Sequence, residues 1–312
     1  MPSVIGIDIG GTKIAAGLVD DAGRIVRQTT IPTTATDPEA ILEDILAVIT
    51  DLSHGEDVQA VGIGAAALVS SDRSTILYAP NLAWRNEPLG SLVQQKCGLP
   101  TVVENDANAA LWAEHRYGVA RSVPNAVMIT VGTGIGGGIL VEGQLRRGPS
   151  GLAGEFGHVP LVPDGILCGC GNHGCWETVA SGRALVREAQ RLARNRPREA
   201  ATLLDIAGGD WRTIDGPHVM RAAEDGDSLA IAAFDTVGAW IGRGMAAVAA
   251  VLDVHTFVLG GGAGTAGELL RAPAQAAITD LITGYGYRPV PDVVLAELGA
   301  EAGLIGAADL AR

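Results

Sequence analysis

The chain of 312 residues is long enough for two domains, and 47% of its residues are hydrophobic, as expected for a soluble globular protein. Its formal net charge of −13 argues against a broad nucleic-acid surface, because neutralising phosphates requires clustered Lys and Arg. No basic and apolar leader precedes the first strand-like run, so we expect a cytoplasmic protein in which disulfides are disfavoured.

The first half begins with a predicted strand meander. The segments SVIGIDIG, KIAAGLVD and RIVRQTTI are separated by turns and predict three short strands. Asp37 and Pro38 are suited to the N-cap and the first position of the apolar-periodic helix that follows. Beyond it we expect, in order, a strand at 60–64, a helix at 87–97, a strand at 101–104 and a helix at 106–117.

The second half repeats the opening plan. NAVMITVG, a glycine-rich turn and GGGILVEGQL again predict strand, turn and strand, which suggests a duplicated fold with a cleft between the copies. The most apolar long window, 229–252, has Asp235 and Arg243 near its middle, which favours a buried helix over a membrane span. We expect helices at 178–194, 216–225 and 228–252, a strand at 256–259 and a last helix at 301–311.

Three glycine turns that follow apolar strands are candidate phosphate sites: Gly10–Gly11, Gly132–Gly138 and Gly260–Gly262. Glycines let backbone N–H groups approach phosphate oxygens, and strand-flanking glycines weaken a sheet unless a ligand or backbone must come close. At the first turn, Asp8 could hold a metal-bound water, while Thr12 or Lys13 could reach a phosphate. The alternative is an ordinary hairpin with a solvated lysine.

Asp106 lies where a predicted strand ends and a helix begins, within Glu104–Asn108. It is either a helix N-cap or a general base that accepts a proton from a substrate hydroxyl. Its position between two glycine turns favours catalysis.

The stretch LCGCGNHGCWE at 167–177 contains three of the four cysteines, Cys168, Cys170 and Cys175, and His158 precedes it by ten residues. One nitrogen and three sulfurs suit tetrahedral zinc with no open coordination position. His173 inside the loop is a rival fourth ligand, and the alternative for the cysteines is three small buried hydrophobic residues.

Taken together these motifs resemble the ROK family of sugar kinases, transcriptional repressors and open reading frames. The matching segments are GxDxGGTK at 6–13, ENDANAA at 104–110, GTGIGGG at 132–138, ExGH at 155–158 and CxCGxxGCxE at 168–177. The stretches APNLAW at 79–84 and WETVASGRAL at 176–185 look most like actinobacterial members that phosphorylate glucose.

The resemblance implies an α/β, two-domain actin and hexokinase-like fold, of the ribonuclease H type, with an interdomain cleft. We expect a small N-terminal α/β domain at 1–117, completed by the C-terminal helix at 300–312, and a large α/β domain at 118–299 that carries the zinc loop. The implied activity is ATP-dependent phosphorylation of glucose at the 6-hydroxyl, with Mg²⁺ as cofactor and Zn²⁺ as a structural ion.

The resemblance also implies a role for each site residue. Asp106 matches the catalytic base, and the sugar would be bound by Asn81, Asn105, Asp106, Glu155, His158 and Glu177. ATP would be bound by Asp8, Gly10, Gly11, Thr12, Lys13, Gly132, Thr133, Gly134, Gly260, Gly261 and Gly262. The zinc ligands would be His158, Cys168, Cys170 and Cys175, which disfavours His173.

Other activities within the family stay open. They are a kinase for another hexose or N-acetylhexosamine, a polyphosphate-using kinase, which the acidic balance disfavours, and a non-catalytic sugar sensor. A repressor would need a helix-turn-helix ahead of the first strand, which we expect to begin at about Ser3. We expect a homodimer or homotetramer, with no nucleic-acid or membrane partner.

Overall fold

The computed structural model describes residues 3–312. The strands are β1 Ser3–Ile9, β2 Lys13–Val19, β3 Ile25–Pro32, β4 Val58–Ala65, β5 Leu68–Val69, β6 Ile76–Tyr78, β7 Arg85–Glu87, β8 Thr101–Asn105, β9 Ala126–Val131, β10 Ile135–Val141, β11 Gln144–Leu145, β12 Thr256–Gly260 and β13 Asp292–Leu295. The α-helices are α1 Pro38–Ser53, α2 Leu89–Cys97, α3 Asp106–Arg116, α4 Glu177–Ala180, α5 Gly182–Asn195, α6 Ala201–Ile206, α7 Gly216–Glu224, α8 Ser228–Leu252, α9 Glu268–Leu281 and α10 Ala302–Leu310. Short 3₁₀ helices are formed by Phe156–His158, Trp211–Thr213, Gly262–Ala266 and Gly299–Glu301.

The first sheet has the strand order β3-β2-β1-β4-β8. β1 pairs antiparallel with β2 and parallel with β4, so it lies in the middle of the sheet. Its alternate residues Ile5, Ile7 and Ile9 join a hydrophobic core with Ile41 and Ile45 of α1. Burial of one strand face against an amphipathic helix is what the alternating apolar pattern of β1 and the helical pattern of α1 both require.

The opposite face of β1 carries glycine and packs against α10. Gly6 of β1 is paired with Gly62 of β4, and a Cβ on either residue would overlap a carbonyl oxygen of α10, that of Leu304 or Ala307. The helix therefore contacts the backbone of two neighbouring strands directly, which only glycine permits at this separation. The last helix of the chain in this way completes the sheet formed by the first residues.

The second sheet has the order β11-β10-β9-β12-β13. When only the strands of each sheet are counted in chain order, both sheets place the third strand at one edge, followed by the second, first, fourth and fifth. The predicted common plan of the two halves is therefore confirmed, although their sequences share little identity. A smaller sheet, β5-β6-β7, lies within the first half and was not predicted.

Contacts between residues divide the chain into two compact units. The first unit comprises residues up to Met128 together with Gly138–Gly154 and Ala296–Arg312, and the second comprises Ile129–Gly137 and Glu155–Leu295. The sequence-based division at 117/118, with 300–312 returning to the first domain, remains a prediction.

Most predicted elements are confirmed, and one prediction is wrong. The single helix expected at 178–194 is two helices, α4 and α5, interrupted at Ser181. Ser181 has extended backbone and its hydroxyl accepts a hydrogen bond from Ala184 N at 3.3 Å, so it is the N-cap of α5. Both helices pack against α8, so the apolar pattern continues through the break. The sequence pattern therefore did not reveal the cap at Ser181.

The longest helix, α8, buries a broad apolar face that includes Phe234, Val237 and Ile241. It contacts α5 and α9, which accounts for its apolar composition as a packed interior helix. Among residues 3–312, no helix has both the length and the apolar character that crossing a membrane requires.

Candidate active site

The first predicted phosphate turn connects β1 to β2. Gly10 N donates to Lys13 O at 3.0 Å and closes the turn, while Thr33 Oγ1 donates to Gly10 O at 2.9 Å. A Cβ on Gly11 would lie 3.1 Å from Asn81 Cβ. The structure therefore brings this turn into contact with Asn81, one of the residues predicted to bind sugar.

Asp8 lies near the carboxyl end of β1. Desolvation by burial raises the pKa of Asp8 to about 6, and the positive charge of Lys13 offsets only part of this effect. Its carboxyl group lies beside Gly303 in the first turn of α10, where a Cβ would be 3.1 Å from Asp8 Cγ. The protein alone thus disfavours the charged carboxylate, and a nearby cation would relieve that cost.

Asn105 and Asp106 form the junction between β8 and α3. Asn105 Oδ1 accepts hydrogen bonds from Ala107 N and Asn108 N at 3.0 and 3.1 Å, so Asn105 is the N-cap of α3. Asp106 follows it in the first turn, and its Oδ1 accepts from Ala107 N at 2.9 Å. The cap role that the sequence left open for Asp106 therefore belongs to Asn105. The positive end of the helix favours an ionised carboxylate at Asp106.

Glu104, immediately before this junction, is a buried carboxylate whose role the sequence did not reveal. Its side chain is only 3% exposed, and Arg147 Nε donates to Glu104 Oε2 at 2.6 Å. Arg73 Nε lies 3.4 Å from the same oxygen, and Asn108 Nδ2 donates to Oε1 at 3.1 Å. Glu104 therefore fixes the first turn of α3 to two distant segments. The available signal was a charged residue at the end of the apolar strand TVVEN.

The second glycine turn connects β9 to β10. Gly132 N donates to Gly134 O at 3.0 Å, and Gly182 N at the start of α5 donates to Gly132 O at 2.8 Å. A Cβ on Gly134 would overlap Glu177 Oε2, and a Cβ on Gly157 would overlap Ile135 O. The turn is therefore packed against the residues that carry two predicted sugar ligands, His158 and Glu177.

Four side chains converge in the cysteine loop. The ligand atoms of His158, Cys168, Cys170 and Cys175 all lie within 4.8 Å of one another. His173, the rival ligand, lies outside this group, and its Nδ1 is 3.0 Å from Gly165 O. The structure therefore brings together the four residues predicted as zinc ligands.

The spacing of the four ligand atoms fits a tetrahedral metal. Cys170 Sγ and Cys175 Sγ are 3.6 Å apart, and Cys168 Sγ is 3.6 Å from His158 Nδ1. Zinc–sulfur bonds of about 2.3 Å in a tetrahedron place ligand atoms about 3.7 Å apart. Burial raises the pKa of Cys168 and Cys175, whereas a hydrogen bond from the Asn172 backbone lowers the pKa of Cys170. A bound divalent ion would compensate for that burial, because it favours the thiolates.

Two carboxylates flank His158 on opposite sides of its ring. Glu155 Oε2 lies 3.9 Å from His158 Nε2, and Glu177 Oε1 lies 3.8 Å from Nδ1. Desolvation raises the pKa of Glu155, with the charge of Glu177 adding to this rise and that of His158 opposing it. Because Nδ1 faces the cysteines, Nε2 is the ring nitrogen left for a ligand outside the metal cluster.

The third glycine turn follows β12. Gly261 has φ of +86°, in the left-handed region, and a Cβ there would lie 2.7 Å from Val131 N. Gly262 begins a 3₁₀ helix, and a Cβ on it would meet nothing within 4 Å. The turn thus combines one glycine required by the backbone with one that borders open space.

Comparison with known proteins identifies the family. A family model described as ROK family matches residues 4–312. The chain belongs to the ROK family. It is 47% identical over 312 residues to a glucokinase of Streptomyces coelicolor, covering 100% of this chain and 98% of that protein. It is also 34% identical over 312 residues to an N-acetylmannosamine kinase of Shigella flexneri, covering 99% and 98% of the two chains.

A solved structure supports the same assignment. The ROK family glucokinase from Streptomyces griseus in complex with glucose and AMPPNP matches with a TM-score of 0.91 and 49% identity, covering 99% of each chain. The predicted two-domain actin-like fold of ROK sugar kinases is therefore confirmed.

Proposed function

We propose that this ROK protein is a kinase that transfers the terminal phosphoryl group of ATP to the 6-hydroxyl of glucose. The observation that carries the proposal is the full-length similarity to glucokinases, one of which was crystallised with glucose and AMPPNP. The sequence motifs that resemble the family show no departure at the catalytic position, Asp106.

Asp106 is the general base. Its carboxylate is held at the start of α3 by the hydrogen bond from Ala107 N, close to the positive end of the helix dipole. As the 6-hydroxyl oxygen bonds to the phosphorus, its proton passes to Asp106 and the bond to the leaving ADP oxygen breaks. Asn105, the N-cap, fixes the backbone from which Asp106 projects.

Glu155, His158 and Glu177 bind the sugar hydroxyls. The two carboxylates accept hydrogen bonds, and His158 Nε2–H can donate one because Nδ1 faces the cysteine sulfurs. Asn81, beside the first glycine turn, supplies a further amide for the sugar. Several directed polar contacts of this kind discriminate between sugars, because a wrong hydroxyl leaves a buried partner unpaired.

A zinc ion held by His158, Cys168, Cys170 and Cys175 is structural. Four protein ligands leave no position for substrate, so the ion supplies cross-linking rather than Lewis-acid chemistry. The loop it would cross-link has little regular structure, only isolated pairings such as Pro160 with Cys175 and Leu167 with His173. Holding this loop in place also orients the ring of His158.

The glycine turns bind ATP. The phosphates would lie at the turns that contain Gly10, Gly11, Thr12, Gly132, Thr133 and Gly134, with Lys13 nearby, and Gly260–Gly262 would border the adenosine. Mg²⁺ accompanying ATP would supply charge neutralisation at the transferred phosphoryl group. Asp8 is the carboxylate placed to hold that ion or its water, and the ion would offset the desolvation that raises the pKa of Asp8.

A coupled assay over a sugar panel, run with ATP and with polyphosphate, tests the proposal. We expect glucose with ATP to give the highest kcat/KM, and N-acetylmannosamine, mannose and fructose to be poorer. A higher kcat/KM for an N-acetylhexosamine than for glucose would overturn the sugar assignment. Activity with polyphosphate and none with ATP would overturn ATP as the phosphoryl donor. A homodimer or homotetramer is proposed for the assembly, and sedimentation of the purified chain checks it.

A further inference from the structure

Gly134 in the second glycine turn faces a carboxylate rather than open space. A Cβ on Gly134 would overlap Glu177 Oε2 and lie 3.5 Å from Glu177 Cδ, with no other atom within 4 Å. The φ angle of Gly134 is outside the left-handed region, so alanine can adopt this backbone. The single obstacle to a side chain at 134 is therefore the end of the Glu177 side chain.

The other oxygen of Glu177 lies against the cysteine loop. Glu177 Oε1 lies 3.0 Å from Cys168 Sγ and 3.8 Å from His158 Nδ1, two members of the metal cluster. The carboxylate is therefore confined between the glycine turn and the cysteine loop. A side chain at 134 would therefore change the position of the carboxylate. The carboxylate would have to turn away from the glycine turn, and the nearby metal cluster limits the positions it can take.

Gly132, in the same turn, has a different environment. A Cβ on Gly132 would meet nothing within 4 Å, and its φ is also outside the left-handed region. A methyl group there would project into open space, where the phosphates of ATP are expected. The two glycines of one turn thus face different sides of the site.

We propose that Gly134 is a positioning residue for the sugar: its missing side chain sets the position of the Glu177 carboxylate and hence the affinity for glucose. This inference rests on the proposed function, in which Glu177 binds a sugar hydroxyl. Gly134 keeps its predicted place in the phosphate turn, but the reason that residue 134 has no side chain is the Glu177 carboxylate beside it.

The test compares Gly134→Ala with Gly132→Ala in the zinc-loaded, full-length protein. Glucose binding is measured by calorimetry without nucleotide, and KM for ATP is measured at saturating glucose. We expect Gly134→Ala to raise the Kd for glucose about 10-fold, as for partial loss of a hydrogen bond to a charged group, with little change in KM for ATP. Gly132→Ala should instead raise KM for ATP and leave the Kd for glucose close to the wild-type value. Zinc content and thermal midpoint should be those of the wild type in Gly134→Ala, because a flexible carboxylate moves rather than backbone.

A double-mutant cycle distinguishes the mechanism from a general disturbance. In a Glu177→Ala background the carboxylate is absent, so Gly134→Ala should have no further effect on glucose affinity. An undiminished effect in that background, or a raised KM for ATP with unchanged glucose affinity, would overturn the role of Gly134. A wild type that binds no glucose would instead overturn the proposed function, so the two failures are distinguishable.

Discussion

At the scale of single residues, this site depends on carboxylates whose surroundings differ. Asp106 is stabilised as an anion by a helix N-terminus, whereas Asp8 is desolvated and its pKa is raised to about 6. Glu104 is neutralised by two arginines in the interior. These environments assign different tasks to three acidic residues that the sequence shows only as Asp and Glu.

Replacing Asp106 by asparagine tests the general base. Asparagine keeps the shape and can still accept from Ala107 N, so binding of glucose and ATP should stay near the wild-type values. Turnover should fall by roughly 10² to 10⁴ fold, because the amide cannot accept the hydroxyl proton. Steady-state kinetics and calorimetry on the same preparation check both parts. Near wild-type kcat in Asp106→Asn would mean that Asp106 only supports the helix.

Asp8 gives a pH-dependent prediction for stability. Its pKa is raised from 3.8 to about 6 in the folded protein, so the folded state binds the proton more tightly and loses stability as pH rises through that window. Asp8→Asn, which cannot ionise, should therefore raise the free energy of unfolding by about 1 to 3 kcal/mol at pH 8, and by much less at about pH 4, near the unfolded-state pKa. Thermal unfolding without ligands at both pH values measures this difference.

Asp72→Asn is the control, because the pKa of Asp72 is shifted in the opposite direction to that of Asp8. Hydrogen bonds, first that from Ser70, lower the pKa of Asp72, so its contribution to stability is complete at any pH well above 3.8. Asp72→Asn should therefore lower the thermal midpoint at pH 8, and by the same amount or slightly less at about pH 4, whereas the gain in Asp8→Asn nearly disappears there. A pH-independent gain in Asp8→Asn, or a loss at pH 8, would contradict the desolvated carboxyl at Asp8.

At the scale of elements, the cysteine loop is held by turn hydrogen bonds and isolated bridges rather than by a helix or sheet, so we expect its position to depend on its four ligands. The purified protein should contain about one zinc per chain, and Cys168→Ser or Cys175→Ser should release it. Because the freed loop carries Glu177 and borders His158, glucose affinity and the thermal midpoint should both fall while ATP affinity is retained. Elemental analysis, calorimetry and thermal unfolding provide the three readouts.

Cys97→Ser is the matched control for the metal. Cys97 lies in α2, outside the four-ligand group, and its Sγ faces Leu99 O at 3.9 Å. The same substitution there should leave zinc content and glucose affinity unchanged. If Cys168→Ser lost zinc and turnover but bound glucose normally, the ion would be catalytic and its structural role would be wrong.

The sequence predicts elements and local clusters well because their signals lie close together along the chain. The cap at Asp37, the glycine turns and the Cys168–Cys175 spacing are all short-range patterns, and the structure contains each of them. Contacts between residues far apart in the sequence leave no short-range pattern and could not be predicted. Glu104 meets Arg73 and Arg147 across separate segments, and Gly134 meets Glu177 only after the second unit has folded.

At the scale of the whole molecule, the order of folding follows from the path of the chain. The first unit is made of separate stretches, and the last of them, Ala296–Arg312, is synthesised after the whole second unit. Until α10 is available, the glycine face of β1 and β4 has no partner. The two ends of the chain therefore stabilise each other, and side chains that hold α10 in place should influence stability strongly.

Asp309 is the side chain that fastens α10 to α3. Trp112 Nε1 and Arg116 Nε donate to Asp309 Oδ2 at 2.7 and 3.0 Å, and Tyr117 OH donates to Oδ1. Asp309→Ala removes a carboxylate that is only 5% exposed and leaves three donors without their acceptor. We expect a loss of about 2 to 4 kcal/mol, which lowers the thermal midpoint by roughly 4 to 10 °C. KM for glucose and for ATP, measured at 25 °C, should stay close to the wild-type values, since Asp309 belongs to neither predicted binding set.

Asp225→Ala tests whether the stability loss expected in Asp309→Ala comes from burial of the carboxylate or from its ion pair with arginine. Arg221 Nε also lies 3.0 Å from Asp225 Oδ2, the same distance as in the Arg116–Asp309 pair, but the Asp225 side chain is 42% exposed. A solvent-exposed pair of this kind is screened by water and contributes little, so the thermal midpoint of Asp225→Ala should hardly move. Equal shifts in the two variants would mean that burial of Asp309 adds nothing. If α10, at the end of the chain, stabilises the first unit, only Asp309→Ala should show a large shift of the thermal midpoint.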